Sequence, residues 1–230
     1  MADANLPENV WVVLAAYNEQ QRIGPVLDDL LGVVRNVVVV DDGSSDQTSR
    51  EAVQRPVWLL RHAVNLGQGA SLQTGLSFAL SQGAAYLVTF DADGQHCAAD
   101  IPALVGALES HSADYAMGSR FLGRATGIPF LRKVTLRLAV LFTRLFSGVR
   151  LSDAHNGLRA MTRAGAERIQ LTLNRMEHAS EIVEQIAASG LKYVEVPVHI
   201  KYTAESLSKG QKSSHAIGLA VKLLIEKVLR

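Results

Sequence analysis

One cysteine, Cys97, in 230 residues excludes an internal disulfide and a multi-cysteine zinc site. Aromatic residues make up only 6% and charged residues 20%, against 48% hydrophobic. That balance fits neither a disordered chain nor a fibrous repeat. No apolar run reaches the roughly 18 residues that a membrane-spanning helix needs. The first residues, MADANLPENV, lack the basic and apolar regions of a secretory leader. These absences predict a soluble chain in a reducing compartment, long enough to bury one sizeable core. A further absence is local. Residues 115–152 hold seven bases and no acid, whereas residues 1–114 hold 14 acids and five bases. The net charge of +1 conceals this asymmetry. An acidic half can hold a metal cation, and a basic half can meet phosphates or an anionic membrane. The basic stretch has no aromatic interleaving, so nucleic acid is not an expected partner.

Apolar runs and helical spacings alternate through the first half. Val10–Ala16 reads as a buried parallel strand. Ile23, Val26, Leu27, Leu30 and Leu31 follow at helical spacing. Short strands are predicted at Val37–Val40, Val57–Leu60 and Tyr86–Phe90, and helices over 70–81 and 100–108, with Pro102 in the first turn of the last. Ser44-Ser45-Asp46 can cap the helix after the second strand. This alternation predicts an α/β fold, a mostly parallel Rossmann-like sheet with helices on both faces.

Polar clusters fall where the strands end. Tyr17-Asn18-Glu19, Asp41-Asp42, Asn65-Leu66-Gly67 and Asp91-Ala92-Asp93 follow the four strands in turn. Open α/β sheets bind ligands outside the carboxyl ends of their strands, so these clusters share one edge. Asp91 and Asp93, two residues apart, can face one point. Hard cations such as Mg²⁺ or Mn²⁺ take such oxygen ligands and share their sphere with a diphosphate. Gln95 can add an amide oxygen. The loop Gly67-Gln68-Gly69 precedes a helix and predicts backbone N–H groups open to a phosphate. It is not the dinucleotide fingerprint, because Leu72 stands at the third glycine position, and no P-loop motif occurs.

Together, Ala16-Tyr17-Asn18-Glu19, Val40-Asp41-Asp42-Gly43-Ser44-Ser45-Asp46, Asn65-Leu66-Gly67-Gln68-Gly69, Asp91-Ala92-Asp93-Gly94-Gln95-His96 and Gly118-Ser119-Arg120-Phe121 resemble family 2 glycosyltransferases of the GT-A fold. The order and spacings are those of the branch that includes dolichyl-phosphate mannose synthases and bacterial polyprenyl-phosphate glycosyltransferases. The resemblance covers roughly residues 10–205. It implies a catalytic domain over 1–205 and a helical extension over 206–230. It implies that Tyr17, Glu19 and Asp42 hold the base and ribose, with Ala16, Gly67, Gln68 and Ala92 completing the nucleotide-sugar set. Asp91, Asp93 and Gln95 resemble the site for a divalent metal and the diphosphate. Arg120 resembles the basic residue after the Gly-Ser pair, and Asp153, Asn156, Gly157 and Arg159 the loop facing donor sugar and acceptor. Two departures stand out. Ala16 replaces a usual proline, and Gln68 replaces a frequent lysine, which removes a candidate phosphate contact.

The segment 130–147, FLRKVTLRLAVLFTRLFS, completes the sequence reading. At about 100° per residue, Lys133, Arg137 and Arg144 share one narrow stripe opposite a broad apolar face. That pattern predicts a helix lying in a membrane interface. A second apolar stripe, Ile217, Ala220, Val221, Leu224 and Val228, predicts a C-terminal amphipathic helix that docks on the body or a partner.

The implied reaction is metal-dependent, inverting transfer of a sugar from a UDP- or GDP-linked donor to a polyprenyl phosphate. Its expected place is peripheral, on the cytoplasmic face of the cell membrane, where the chain could dock on a small membrane protein. Arg120 and Arg159 are expected to stabilise phosphate charge. If the acceptor is instead a hydroxyl of a lipid-linked or cell-surface glycan, a base is required. Asp153 is the first candidate for it and Glu177 the second. A sugar nucleotidyltransferase is disfavoured, because the segment after strand one lacks a glycine-rich loop with arginine. A non-catalytic sugar-nucleotide sensor is disfavoured by the presence of both Asp91 and Asp93.

Overall fold

The computed structural model describes residues 6–7, 9–126, 140, 149 and 151–202. The stretch 130–147 with Lys133, Arg137 and Arg144, and the C-terminal extension 206–230, lie outside the described residues, residue 140 excepted. Among the described residues no helix is long and apolar enough to cross a membrane.

The valine-rich runs form strands because each side chain finds cover on one face or the other. Strands β1 (Val10–Ala16), β2 (Asn36–Asp41), β3 (Trp58–Arg61) and β4 (Tyr86–Asp91) arise where the sequence predicts them. They are followed by β5 (Tyr115–Thr126), β6 (Arg159–Thr162) and β7 (Tyr193–Lys201). The sheet order is β3-β2-β1-β4-β6-β5-β7. The first four strands run parallel, and β6 is antiparallel to both β4 and β5. β7 runs parallel to β5, with an irregularity between Ser119 and Arg124.

Alternation along each strand divides the core in two. Val12, Leu14, Val37, Val39, Val88 and Phe90 face α1 (Ile23–Leu31) and α4 (Ile101–Ser110). Val13, Val38, Val40, Leu87, Tyr115 and Met117 face α3 (Gln68–Ser81) and, further along, α6 (His178–Ser189). Two short helices, α2 (Thr48–Ala52) and α5 (Arg163–Glu167), close the remaining corners. Each fully buried Val, Leu or Ile contributes about 1.5–3 kcal/mol relative to exposure. At Gly75 helix α3 comes so close to β1 that an added Cβ would lie 2.3 Å from Val13 Cγ1. This close seat fixes where the N-terminus of α3 meets the carboxyl edge of the sheet.

Local chemistry ends the strands on that edge. Asn18 takes a left-handed conformation (φ 54°), which a short polar side chain tolerates. Its side-chain oxygen accepts the Ser45 N–H at 3.0 Å, and its own N–H donates to Ser44 Oγ at 2.9 Å. None of the three predicted capping residues stands at the N-cap of α2, which is Gln47; Asp46 instead accepts the Thr48 N–H at 2.9 Å in an Asx turn that leads into the helix.

Candidate active site

The carboxyl ends of β1, β2 and β4, the loop before α3 and the segment 151–159 converge on one edge of the sheet. Asp91 lies at the centre. Gln68 Nε2 donates to its Oδ1 at 3.0 Å, and His96 Nε2 meets its Oδ2 at 2.9 Å. Gly157 covers a third side, where an added Cβ would lie 2.0 Å from Oδ2. The Asp91 side chain remains 29% exposed, whereas His96 is buried, edge-on to Phe90. Burial disfavours the charged form of Asp91. The hydrogen bond from His96 and the charges of His178 and Arg159 outweigh burial and hold its carboxyl below the ordinary range. Asp93 behaves oppositely: burial and the neighbouring Asp91 charge push it up, against the Gln95 N–H that donates to its Oδ1 at 3.0 Å.

Beneath this pair Arg159 is almost fully enclosed. Antiparallel pairing sets it opposite Thr89 in the ladder, on the Asp91 face of the sheet. Its Nη2 donates to the Ala154 carbonyl at 3.3 Å, and its Nε has no hydrogen-bond partner among the described residues. Two histidines flank it. Burial, then the Arg159 charge, lowers His178 below its ordinary value. The same two causes push His155 down to about 4. The sign of the linkage follows. Between about 4 and the unfolded value near 6.5, the unfolded chain binds the His155 proton and the folded chain does not. Stability therefore falls as pH drops through that window. Urea midpoints measured from pH 7 to pH 4 are expected to fall less steeply in His155→Gln than in the parent.

The structure gives several predicted site residues other partners. Asp42 is buried. Its Oδ1 accepts the Leu66 N–H at 2.9 Å and meets His62 Nδ1 at 2.8 Å, and its Oδ2 accepts the Gly67 N–H at 2.7 Å. Burial raises its pKa, but these hydrogen bonds prevail and hold it below the ordinary value. Its carboxylate thus organises the loop before α3 from within. The predicted phosphate cradle is also occupied. The Gly69 and Ala70 N–H groups both point at the Asn174 carbonyl, at 2.8 and 3.3 Å. Gly67 (φ 108°) and Gly69 are required by that contact, since an added Cβ would lie 2.2 Å from the Asn174 oxygen and 2.1 Å from the Leu173 oxygen respectively. These glycines serve close packing of two chain segments, not an open helix N-terminus.

Arg120 and Asp153 are likewise committed to each other. The irregularity in the β5–β7 ladder lies between Ser119 and Arg124, the stretch that holds Arg120. Its Nε donates to Asp153 Oδ2 at 2.6 Å, its Nη2 reaches the His155 carbonyl at 3.3 Å, and its Nη1 bonds the Tyr202 hydroxyl. Asp153 is 1% exposed and also accepts from Asn156 Nδ2 at 3.3 Å. So enclosed, it is badly placed to take a proton from an acceptor. Asn156, also buried, accepts the Leu158 N–H and shapes the turn. Glu177 stands just before α6. It is partly buried, and its side chain makes no hydrogen bond among the described residues. Tyr17 is 47% exposed at the end of β1, beside the buried Ala16. Glu19 pairs with Arg22 at 2.8 Å, and its N–H donates to Thr48 Oγ1. Ala92 is buried behind the carboxylate pair, and the Gln95 carbonyl accepts the Lys201 N–H.

Sequence reasoning missed three supports. Glu195 on β7 accepts the N–H and hydroxyl of Ser152 at 2.7 and 2.8 Å. Glu181, in the first turn of α6, accepts the Thr172 and Leu173 N–H groups. His62 completes the Asp42 cluster. Glu195 follows the strand alternation and Glu181 the helix spacing, so neither carries a local signal of its role.

Comparison with known proteins identifies the class. Glucosyl-3-phosphoglycerate synthase from Mycobacterium tuberculosis, in its phosphoglyceric acid complex, superposes with a TM-score of 0.71 at 19% identity, covering 95% of this chain and 81% of that one. Its complex with Mn²⁺, UDP and glucosyl-3-phosphoglycerate gives 0.63 at 18%, covering 89% and 76%. The fold is therefore that of the GT-A glycosyltransferases. UDP-N-acetylglucosamine–dolichyl-phosphate N-acetylglucosaminyltransferase of Methanococcus voltae is 30% identical, over 95% of this chain and 96% of the relative. Undecaprenyl-phosphate mannosyltransferase of Micrococcus luteus is 30% identical, over 92% and 90%. Residues 11–168 match Glycosyl transferase family 2, and the chain belongs to that family and is a glycosyltransferase.

Proposed function

We propose that this enzyme transfers a sugar, with inversion, from a UDP- or GDP-linked donor to a polyprenyl phosphate. The observation that carries the proposal is the pairing of Asp91 and Asp93 at the open end of β4, with the Asp93 carboxyl pushed up by burial and then by the charge of its neighbour. Such repulsion is what a divalent cation relieves, so the residues present fit Mg²⁺ or Mn²⁺. Hard divalent cations take oxygen ligands from one or two carboxylates and share their sphere with substrate phosphates, so two aspartates would hold the cation together with the donor diphosphate. Gln95, two residues beyond Asp93, would add a further oxygen from its side-chain amide. When bound, the cation supplies charge neutralisation for the leaving diphosphate.

The chain's own groups account for the rest. Tyr17, exposed at the end of β1, offers a face to the base, and Glu19 and Asp42 shape the surrounding loops. Ala16 and Ala92 are buried at the ends of β1 and β4, and Gly67 and Gln68 open α3 on the same edge, so these four would back the donor through the shape of the chain. Arg159 places a positive charge under Asp91, and Arg120 holds the 153–157 turn against the site. In the transfer, the bond from the anomeric carbon to the diphosphate oxygen breaks, and its electron pair leaves with the nucleotide. A phosphate oxygen of the acceptor forms the new bond from the opposite face. That oxygen is already anionic, so no general base is needed. The names of the M. voltae and M. luteus relatives, which this chain covers over 96% and 90% of their length, support a lipid-phosphate acceptor. The acid-free basic run with Lys133, Arg137 and Arg144 supports a peripheral position on the anionic inner membrane face. The catalytic domain then spans 1–205.

One observation favours a second reading. Glu177 is a partly exposed carboxylate whose side chain makes no hydrogen bond among the described residues, so a hydroxyl acceptor would use it, and not the enclosed Asp153, as base. The experiment incubates the full chain with Mn²⁺ and a panel of UDP- and GDP-sugars, with and without undecaprenyl phosphate, and follows nucleotide release. Release that depends on the lipid phosphate is expected. Turnover on glycan hydroxyls with no response to lipid phosphate would overturn the proposal in favour of the second reading.

A further inference from the structure

We infer that Gln68 is a positioning residue: one side chain that sets the Asp91 carboxylate from a helix N-terminus that is itself locked to the segment through Leu173 and Asn174. The inference rests on the proposed reading that Asp91 and Asp93 hold the cation. Three observations on consecutive residues carry it. The Gln68 amide donates to Asp91 Oδ1 at 3.0 Å. Gly67, on one side, gives its N–H to Asp42 and presses its α-carbon against the Asn174 carbonyl. Gly69, on the other, gives its N–H to that same carbonyl and leaves no room for a side chain against Leu173. Gln68 therefore has little freedom to withdraw from Asp91 without moving the segment that leads into Glu177 and His178.

The choice of side chain matters as well. A neutral amide fixes the direction of the carboxylate and leaves its full negative charge for a cation. A lysine at the same place would fix it by neutralising it, in competition with the metal. The other Asp91 oxygen is held by His96, so the two donors together define the carboxylate plane. Groups that orient a ligating side chain in this way typically govern metal affinity by 10–100-fold.

The test compares the full chain with Gln68→Ala and with Gln73→Ala. Gln73 lies on the same helix and holds the same segment, accepting the Leu171 N–H at 2.7 Å, whereas among the described residues the side-chain hydrogen bonds to Asp91 come from Gln68 and His96. Mn²⁺ is titrated calorimetrically in the presence of saturating UDP, and backbone hydrogen exchange is followed at Gly69 and Ala70. Gln68→Ala is expected to weaken Mn²⁺ about 10-fold with an unchanged urea midpoint, and Gln73→Ala to leave Mn²⁺ affinity unchanged. In the parent, Mn²⁺ with UDP is expected to slow exchange at Gly69 and Ala70, and in Gln68→Ala this slowing disappears. Equal Mn²⁺ affinity in parent and Gln68→Ala overturns the inference and leaves the proposed function standing. Equal weakening by both variants overturns it too, since general loosening of α3 then suffices. A parent that takes up no Mn²⁺ with UDP, nor in the same titration with GDP, removes the metal-site reading itself.

Discussion

Gly157→Ala is expected to lower kcat/KM for sugar transfer by at least about 100-fold while changing the urea midpoint little. An alanine Cβ at this position would lie 2.0 Å from Asp91 Oδ2. The turn cannot retreat, because Thr89 Oγ1 donates to the Gly157 carbonyl at 2.7 Å and the Gly118 N–H donates to the Leu158 carbonyl at 3.0 Å. The carboxylate must therefore rotate, which breaks its bonds to Gln68 and His96 together. Displacing a reacting or ligating group by about 1 Å typically costs about 100-fold. The strain falls on a side chain at the surface of the site, not on the core, so the fold survives. Activity within threefold of the parent would show that the orientation of Asp91 does not matter to the reaction.

The second large effect concerns stability. Asp153→Ala is expected to destabilise the enzyme by about 3–5 kcal/mol, the usual cost of leaving one member of a buried ion pair alone. Arg120 is 8% exposed and would retain only the Tyr202 hydroxyl and the His155 carbonyl as partners. The backbone N–H of Arg120, which also donates to Asp153 Oδ2 at 3.1 Å, would be left without an acceptor. Urea denaturation measures the loss. Asp153→Asn keeps an oxygen for both donors, so it is expected to cost less and to retain transfer activity. A folded Asp153→Asn that has lost all activity would restore the general-base role to Asp153. Replacing both partners with apolar residues of similar volume should recover much of the stability, because neither charge is then stranded.

These two expectations differ in how far they could be reached without coordinates. Asp91 and Asp93 were legible as a pair because an apolar strand ends beside them, and parallel sheets bring strand ends to one edge. The same reasoning placed Tyr17, Asp42 and the Gly67–Gly69 loop on that edge, and the structure puts them there. It did not tell which of these groups are spent inside the protein. Asp42 and Asp91 look alike in sequence, each following a strand. One is buried under three hydrogen bonds and the other keeps a solvent face. The difference comes from where the chain returns. The 62–67 loop folds onto Asp42, whereas the Asp91 carboxylate oxygens meet one amide, one imidazole and a glycine among the described residues.

The strand and helix alternation of the first half, the edge that carries the site and the family to which the chain belongs are all readable from the order of residues. Those features are local, written in periods of two and 3.6 residues and in short motifs. Only the tertiary structure decided that β6 runs against β4 and brings Arg159 beneath Asp91, that Arg120 is committed to Asp153, and that the glycines before α3 receive the backbone of Leu173 and Asn174. Each of these joins residues tens of positions apart. A hydrogen bond or close approach at that separation depends on how the whole sheet is ordered, and no local pattern of side chains encodes it.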